Sequence, residues 1–303
     1  MDTTTGTLTW LGGNPGDGWY EMTGRLLGLL RETSTGLRFA LAAGGGEHNL
    51  HDVAAGQAEI AMSIDVVVAA AYNGGPPFRE PLRNLNCLGT GWSPLPYNLL
   101  AARDQQASFP EAVAGRRIRV GAPPTDTTDE LMFQQVLSHY ATSYNDITAA
   151  GGHVLLAGYD TLVAALHAGD IDFVFGATTL PAPSIARAAH GPRPIDLAPL
   201  PTDVIKHLAS RFGAKPGVIP AGTYPGLQTS DVPTCFVDTV FVISADVPEP
   251  IAYEVTQLLL DNLDQLPTVH GSLAGFNPFV AWRLLPAPLH PGAARAYRDR
   301  GYM

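Results

Sequence analysis

An order of elements that occurs twice limits what this chain can become. Residues Thr7 to Leu11 read as a short strand, Gly12 to Gly18 as a glycine-rich loop and Trp19 to Arg31 as a helix. A second strand, Leu37 to Ala42, leads through Gly44-Gly45-Gly46 into a helical Glu47 to Ala55, and Ala55-Gly56-Gln57-Ala58-Glu59 opens the apolar strand Ile60 to Ser63. The order returns with the strand Arg117 to Gly121, the loop Ala122 to Asp126, the helix Thr127 to Tyr140, a strand at Val154-Leu155-Leu156 and a helix from Tyr159 to His167. There Ala168-Gly169-Asp170-Ile171-Asp172 opens Phe173-Val174-Phe175, so an Ala-Gly-x-x-acid-apolar run stands at the same place in both halves. Strands alternating with helices specify an α/β fold of parallel sheets covered on both faces, and two copies specify two such sheets. In an open parallel sheet the ligand crevice lies beyond the carboxyl ends of the strands, so the loops after the strands of both lobes are expected to face one cleft.

At 303 residues the chain exceeds the usual single domain. Two lobes are expected, residues 1–96 with 237–303 and residues 97–236, joined by a two-strand hinge at Trp92 to Arg103 and Val232 to Ala245, both extended and rich in β-branched or aromatic residues. A last long helix, Ile251 to Leu266, carries Val255, Leu258 and Leu259 near one face and should pack on the first lobe. A hydrophobic share of 46% against 15% charged residues supplies enough apolar material for a folded core. The formal charge of -10, with no Lys/Arg cluster, disfavours nucleic acid as a partner. The apolar stretch Ala54 to Tyr72 is interrupted by Gln57, Glu59, Ser63 and Asp65, which argues against a membrane span. Met1 to Thr5 runs straight into the first strand with no basic or apolar export segment, leaving a cytosolic protein or a processed chain as alternatives. Cys87 and Cys235 are too few for a disulfide scaffold and either pair or stay free.

The loop from Gly12 to Gly18, with Asn14 at its centre, exposes backbone N–H groups that could hold an anion or carboxylate, or else it is a tight turn. It lacks the Gly-Lys-Ser/Thr of a phosphate loop and the three-glycine spacing of a dinucleotide site, so no cofactor is expected. Thr125, Asp126, Thr127 and Thr128 in the matching loop of the second lobe are natural helix caps, but four consecutive polar side chains exceed that need. His48 and His51 stand one turn apart, yet the spacing is not His-Glu-x-x-His, and a polar helical face is the better reading than a metal site. Gly-x-Ser-x-Gly is absent, the nine histidines are scattered, and Asp170 and Asp172 read as solvated. No catalytic residue is expected.

At Ile219-Pro220-Ala221-Gly222-Thr223-Tyr224-Pro225-Gly226, followed by Asp231-Val232-Pro233-Thr234, the chain resembles the TAXI-type solute receptors of tripartite ATP-independent periplasmic (TRAP) transporters. Ala71-Tyr72-Asn73-Gly74 and Pro288-Leu289-His290-Pro291-Gly292-Ala293 agree as well. The resemblance implies a type II periplasmic binding-protein fold, an exported monomeric receptor, a small carboxylate or amino acid as solute, and a membrane permease as partner. It also implies ligand roles for the aromatic pair Trp19 and Tyr20, for Asn49 and Asp65, and for Thr125 and Thr127. With Asn14, Gly45, Glu47, His48, Trp92, Asp126, Thr128 and Thr178 these make up the candidate ligand set. Departures fall at the same loops: Ala43-Gly44-Gly45-Gly46-Glu47-His48-Asn49 stands where the family reads Thr-Gly-Gly-Ser-x-Glu-Asn, and Pro124-Thr125-Asp126-Thr127 where it reads Gly-Ser-Gly-Thr. With Asp17, Glu47, Asp65 and Asp126 facing the cleft, an amino-bearing or neutral polar solute is expected over a dicarboxylate, unless Glu47 and Asp126 merely cap their helices. A cytosolic effector-sensing module and an enzyme on the same scaffold are the competing readings.

Overall fold

Glycine punctuation and runs of buried aliphatic residues set the elements of the computed structural model, which describes residues 6–15, 18–34, 36–125 and 127–303. The chain divides into Met1–Pro94 with Asp238–Met303, and Leu95–Val237. The first unit opens with β1 (Thr7–Leu11), α1 (Gly18–Thr33), β2 (Arg38–Ala42), α2 (His48–Ala54), β3 (Ile60–Ile64) and α3 (Asp65–Asn73). Both β2 and β3 pair with β1 in parallel. All five residues of β3 are buried, apolar but for Ser63, the pattern of a strand covered on both faces. Helix α1 turns Met22, Leu26, Leu27 and Leu30 inward onto Trp10 of β1 and Ile60 and Met62 of β3. At roughly 1.5–3 kcal/mol for each such side chain, this stripe is the main reason α1 forms.

The chain leaves this unit along β4 (Leu85–Ala102). In the second unit follow α4 (Phe109–Ala114), β5 (Arg119–Ala122), α5 (Thr128–His139), α6 (Tyr144–Ala149), β6 (His153–Leu156), α7 (Tyr159–Ala168) and β7 (Phe173–Ala177). Next come α8 (Pro183–Arg187), β8 (Ile195–Ala198), α9 (Thr202–Phe212), β9 (Lys215–Ile219) and β10 (Val232–Ser244), along which the chain returns. Strand β5 lies parallel to both β6 and β7, and β4 pairs antiparallel with β7 and β8. The repeated sequence therefore builds one topology twice. The first unit orders its strands β2-β1-β3 and then the antiparallel β10, while the second orders them β6-β5-β7 and then the antiparallel β4.

Back in the first unit stand α10 (Glu249–Asp261), α11 (Leu266–Val269) and α12 (Pro291–Asp299). The helix expected to run from Ile251 to Leu266 stops at Asp261. Asn262 turns its side-chain amide back onto the Leu258 carbonyl at 2.8 Å and onto Thr33 Oγ1 at 3.1 Å, and Pro267 offers no N–H to continue the ladder. Val255, Leu258 and Leu259 still reach the core of the first unit. Cys87 and Cys235 are both free and buried.

Candidate functional site

In the first unit the loops at the carboxyl ends of β1 and β2 are tied to each other and to strand β3 by one side chain. Asn49, fully buried in the first turn of α2, accepts the Gly45 N–H at Oδ1 (2.7 Å) and donates from Nδ2 to the carbonyls of Gly12 (3.0 Å) and Met62 (2.8 Å). The glycines permit this closeness. A Cβ on Gly44 would collide with the Asn49 amide, and Gly45 and Gly46 hold φ of 141° and 55°. The Gly44 N–H also donates to the Gly13 carbonyl at 3.0 Å. Asn49 thus positions the loops, with its amide already occupied by backbone partners.

Around this staple lie several of the expected residues. The Asn14 side-chain amide lies beside Gly45 and is exposed. Trp19 and Tyr20 are half-buried in the first turn of α1, with Trp19 leaning on the core. Glu47 occupies the N-cap position of α2, half-buried, yet its side chain makes no cap hydrogen bond. The reading in which it merely caps its helix therefore does not describe it. Asp65 opens α3; its Oδ1 accepts the N–H groups of Val66 at 2.9 Å and Asp238 at 3.1 Å. His48 points to solvent and pairs with Asp52 at 3.3 Å, while His51 packs on the Phe78 ring. The two imidazoles of this helix have different partners.

Trp92 is the clear correction. Expected to cover a solute, it is fully buried, stacked between Phe276 (centroids 3.8 Å apart) and Phe241 (4.5 Å), with its indole N–H on the Gly89 carbonyl at 3.1 Å. An aromatic residue in a strand buries its large apolar area in the core unless something holds it out.

In the second unit the matching edge carries the β5 and β7 loops. Thr127 caps α5, its Oγ1 accepting the Glu130 N–H at 3.2 Å and donating to the Pro124 carbonyl at 2.8 Å. Thr125 is exposed and Thr128 buried, while Asp126 lies outside the described residues. After β7, Thr178 is buried among polar groups that sequence reasoning missed. Asn98 Nδ2 donates to its Oγ1 at 3.0 Å, and the Tyr224 hydroxyl bonds to it while accepting the Ala182 N–H at 2.9 Å. Close by in this unit, the Tyr159 hydroxyl lies 3.1 Å from Asp129 Oδ2 and 3.0 Å from the Ala177 carbonyl. Burial, reinforced by the Asp129 charge, pushes that phenol well above its ordinary range, so it stays a neutral donor. Asn98 Oδ1 is buried without a hydrogen-bond partner among the described residues. The signal that could have found Asn98 is a lone amide inside the apolar strand run Tyr97-Asn98-Leu99-Leu100.

The opposite edge of the same unit holds a cavity of about 410 Å³ whose lining includes Asp104, Gln105, Arg117, Arg119, Asp172 and Arg193. Its charges answer one another. Arg119 grips Asp172 through two bonds (2.7 and 2.6 Å), and Arg193 spans Asp172 (2.7 Å) and Asp104 (2.8 Å). Asp172, expected to be solvated, is a structural anchor. Burial works to raise its carboxyl, but the two guanidinium groups hold it below the usual range.

The NMT1-like family matches residues 11–301, which takes in loops of both units. The chain belongs to the NMT1-like family. Solved structures with the same fold, at identities that show the fold alone, include MatC from Rhodopseudomonas palustris with bound malate. It has a TM-score of 0.57 at 14% identity, over 97% of this chain and 95% of that one. The periplasmic binding protein BugD aligns at a TM-score of 0.54 and 12% identity over 98% and 94% of the two chains. A further periplasmic transporter aligns at 0.52 and 12% over 99% and 95%. This member of the NMT1-like family therefore has the α/β fold of periplasmic binding proteins.

Proposed function

We propose that this chain is an extracytoplasmic receptor of the TAXI type that captures a small polar solute with the carboxyl-end loops of its two units and hands it to a TRAP-type permease, without catalysing a reaction. One observation carries the reading. On a fold shared with periplasmic binding proteins, one buried amide, Asn49, braces the loops after β1 and β2 against strand β3, and the neighbours Asn14, Glu47 and Tyr20 are left partly accessible. Bracing of this kind is what a preformed polar site needs. Gly45, Asp65, Thr125, Thr127 and Thr178 belong to the proposed site on the same grounds of placement, and the receptor acts as a monomer.

MatC holds malate in its structure, which makes dicarboxylates the class to compare. Glu47 and Asp65 argue for an amino-bearing or neutral polar solute here, because a second anion in a site shielded from water is costly. Thermal-shift screening of amino acids, amines, amides and dicarboxylates including malate tests the reading. An amine- or amide-bearing compound is expected to raise the melting temperature by mass action. Stabilisation by dicarboxylates alone would overturn the charge preference, and conversion of a bound compound on long incubation, seen by mass spectrometry, would overturn the receptor in favour of an enzyme.

A further inference from the structure

Among the described residues five large apolar side chains are exposed, and four of them, Phe279, Val280, Leu284 and Met303, lie in the last stretch of the first unit. Leu284 is 99% exposed and sits at φ 49°, a left-handed conformation that a leucine rarely adopts. Burial does not explain a side chain held out in this way. The four residues stand on a fixed base. The Phe279 ring meets the Tyr302 ring edge-on at 5.0 Å, and the Trp282 indole N–H donates to the Tyr302 carbonyl at 2.7 Å, which ties the 277–284 loop to the C-terminal tail. Beneath them Ala281, Ala296, Tyr297 and Leu260 form a small buried cluster against which Trp282 and Tyr302 pack.

The charge of this region runs against that of the molecule. The chain as a whole carries -10, but residues 279–303 hold Arg283, Arg295, Arg298 and Arg300 against the single acid Asp299. Arg295 and Arg300 are engaged by Glu249 and Asp261. Arg283 lies over the Trp282 ring at 4.6 Å, and Arg298 is exposed, with no carboxylate partner among the described residues. Against Arg283 and Arg298 stands only Asp299 of the same stretch, so a net positive charge accompanies the protruding apolar side chains and the amphipathic rings of Trp282 and Tyr302.

We infer that this face docks on an anionic bilayer surface. Apolar side chains enter the headgroup boundary, tryptophan and tyrosine rest at that level, and arginines meet lipid phosphates, each contributing a separate increment. A lone leucine standing fully proud of its surroundings suits a soft interface, which needs no complementary pocket to receive it. Because charges further than about 8 Å away are screened at physiological salt, the small positive excess of this stretch, rather than the charge of the whole chain, is what a bilayer meets. Among the described residues no helix is long and apolar enough to cross a membrane, so the contact is peripheral. The inference does not depend on whether the chain carries a solute.

Flotation of the full chain with vesicles tests it, comparing phosphatidylcholine alone with phosphatidylcholine containing about one-third phosphatidylglycerol. The expected result is several-fold more protein on the anionic vesicles, falling as salt rises. Leu284→Asp with Phe279→Asp should reduce binding by about tenfold or more, and Leu284→Asp alone should leave the melting temperature unchanged, since that side chain is almost wholly exposed and aspartate tolerates the left-handed backbone better than leucine. Arg283→Gln with Arg298→Gln, which leaves the apolar residues in place, should abolish the preference for anionic lipid. No flotation in low salt, binding that survives both pairs of changes, or a dimer in light scattering that Leu284→Asp dissolves would each overturn the inference, the last by assigning the face to a second copy of the chain.

Discussion

At the scale of single residues, the positions that matter most are those whose hydrogen bonds leave no slack. Asn49 satisfies one backbone donor and two backbone acceptors in a place with no water access. Asn49→Ala strands all three, and at about 1–3 kcal/mol for a buried unsatisfied group, tempered by relaxation of the loops, the loss should be about 3 kcal/mol. Urea unfolding measures it, and a loss below about 0.5 kcal/mol, the scale of an ordinary surface change, would show that the loops do not lean on this amide. The cysteines allow a second prediction. Burial pushes the Cys87 thiol up to about 12, against the opposing effect of a backbone hydrogen bond at Ala287, and burial alone pushes Cys235 up to about 11. Both should resist iodoacetamide in the native protein near neutral pH, because the reactive species is the thiolate. Both should be alkylated in the unfolded, unreduced chain. Fewer than two labelled thiols there would show a bond that the folded structure lacks.

Among elements, the ends decide more than the middles. The Asp104–Arg193–Asp172–Arg119 chain of charges joins the start of β5 to the start of β7 and to the loops at 104 and 193. Removing Asp172 leaves two arginines without their shared partner, and Asp172→Asn should cost about 2 kcal/mol at neutral pH, less than for a fully buried pair because solvent reaches Arg119. The Asp172 carboxyl lies lower in the folded than in the unfolded chain. Its contribution is therefore fully present above the unfolded value of about 3.9 and is lost as pH falls through the folded value. The stability gap between the native protein and Asp172→Asn should accordingly be constant from pH 7 to 5 and narrow below about pH 4. Urea titrations at each pH measure it, and a gap that widened in acid would refute the assignment. Most element cores were legible beforehand: α5 and α7 begin within a residue of their expected starts, and β3 and β7 occupy their expected places. The break after Asp261 was not, because what stops α10 includes a bond from Asn262 to Thr33, which is 229 residues away along the chain.

For the whole molecule, the proposed receptor implies that a solute changes stability and dimensions together. At a hundred times its dissociation constant a ligand should add about 2.7 kcal/mol to the unfolding free energy. If the two units close on the solute as the sequence expectation has it, small-angle scattering should show a smaller radius of gyration at that concentration, and an unchanged radius would count against closure. The doubled strand and helix order, the α/β class and the loops after β1, β2, β5 and β7 were readable from the sequence, because hydrophobic period and glycine placement act over a few residues. Side-chain roles were not readable in this way. Trp92 and Asn49 both looked like ligand groups, yet one became the centre of an aromatic stack with Phe241 and Phe276 and the other a staple to Gly12 and Met62. Asp172 looked solvated until Arg119, 53 residues earlier, and Arg193 closed on it. In each case the deciding partner lies on another element. Local sequence determines what a segment becomes, but which side chains are buried and which are left free to meet a ligand follows from what the other segments bring beside them.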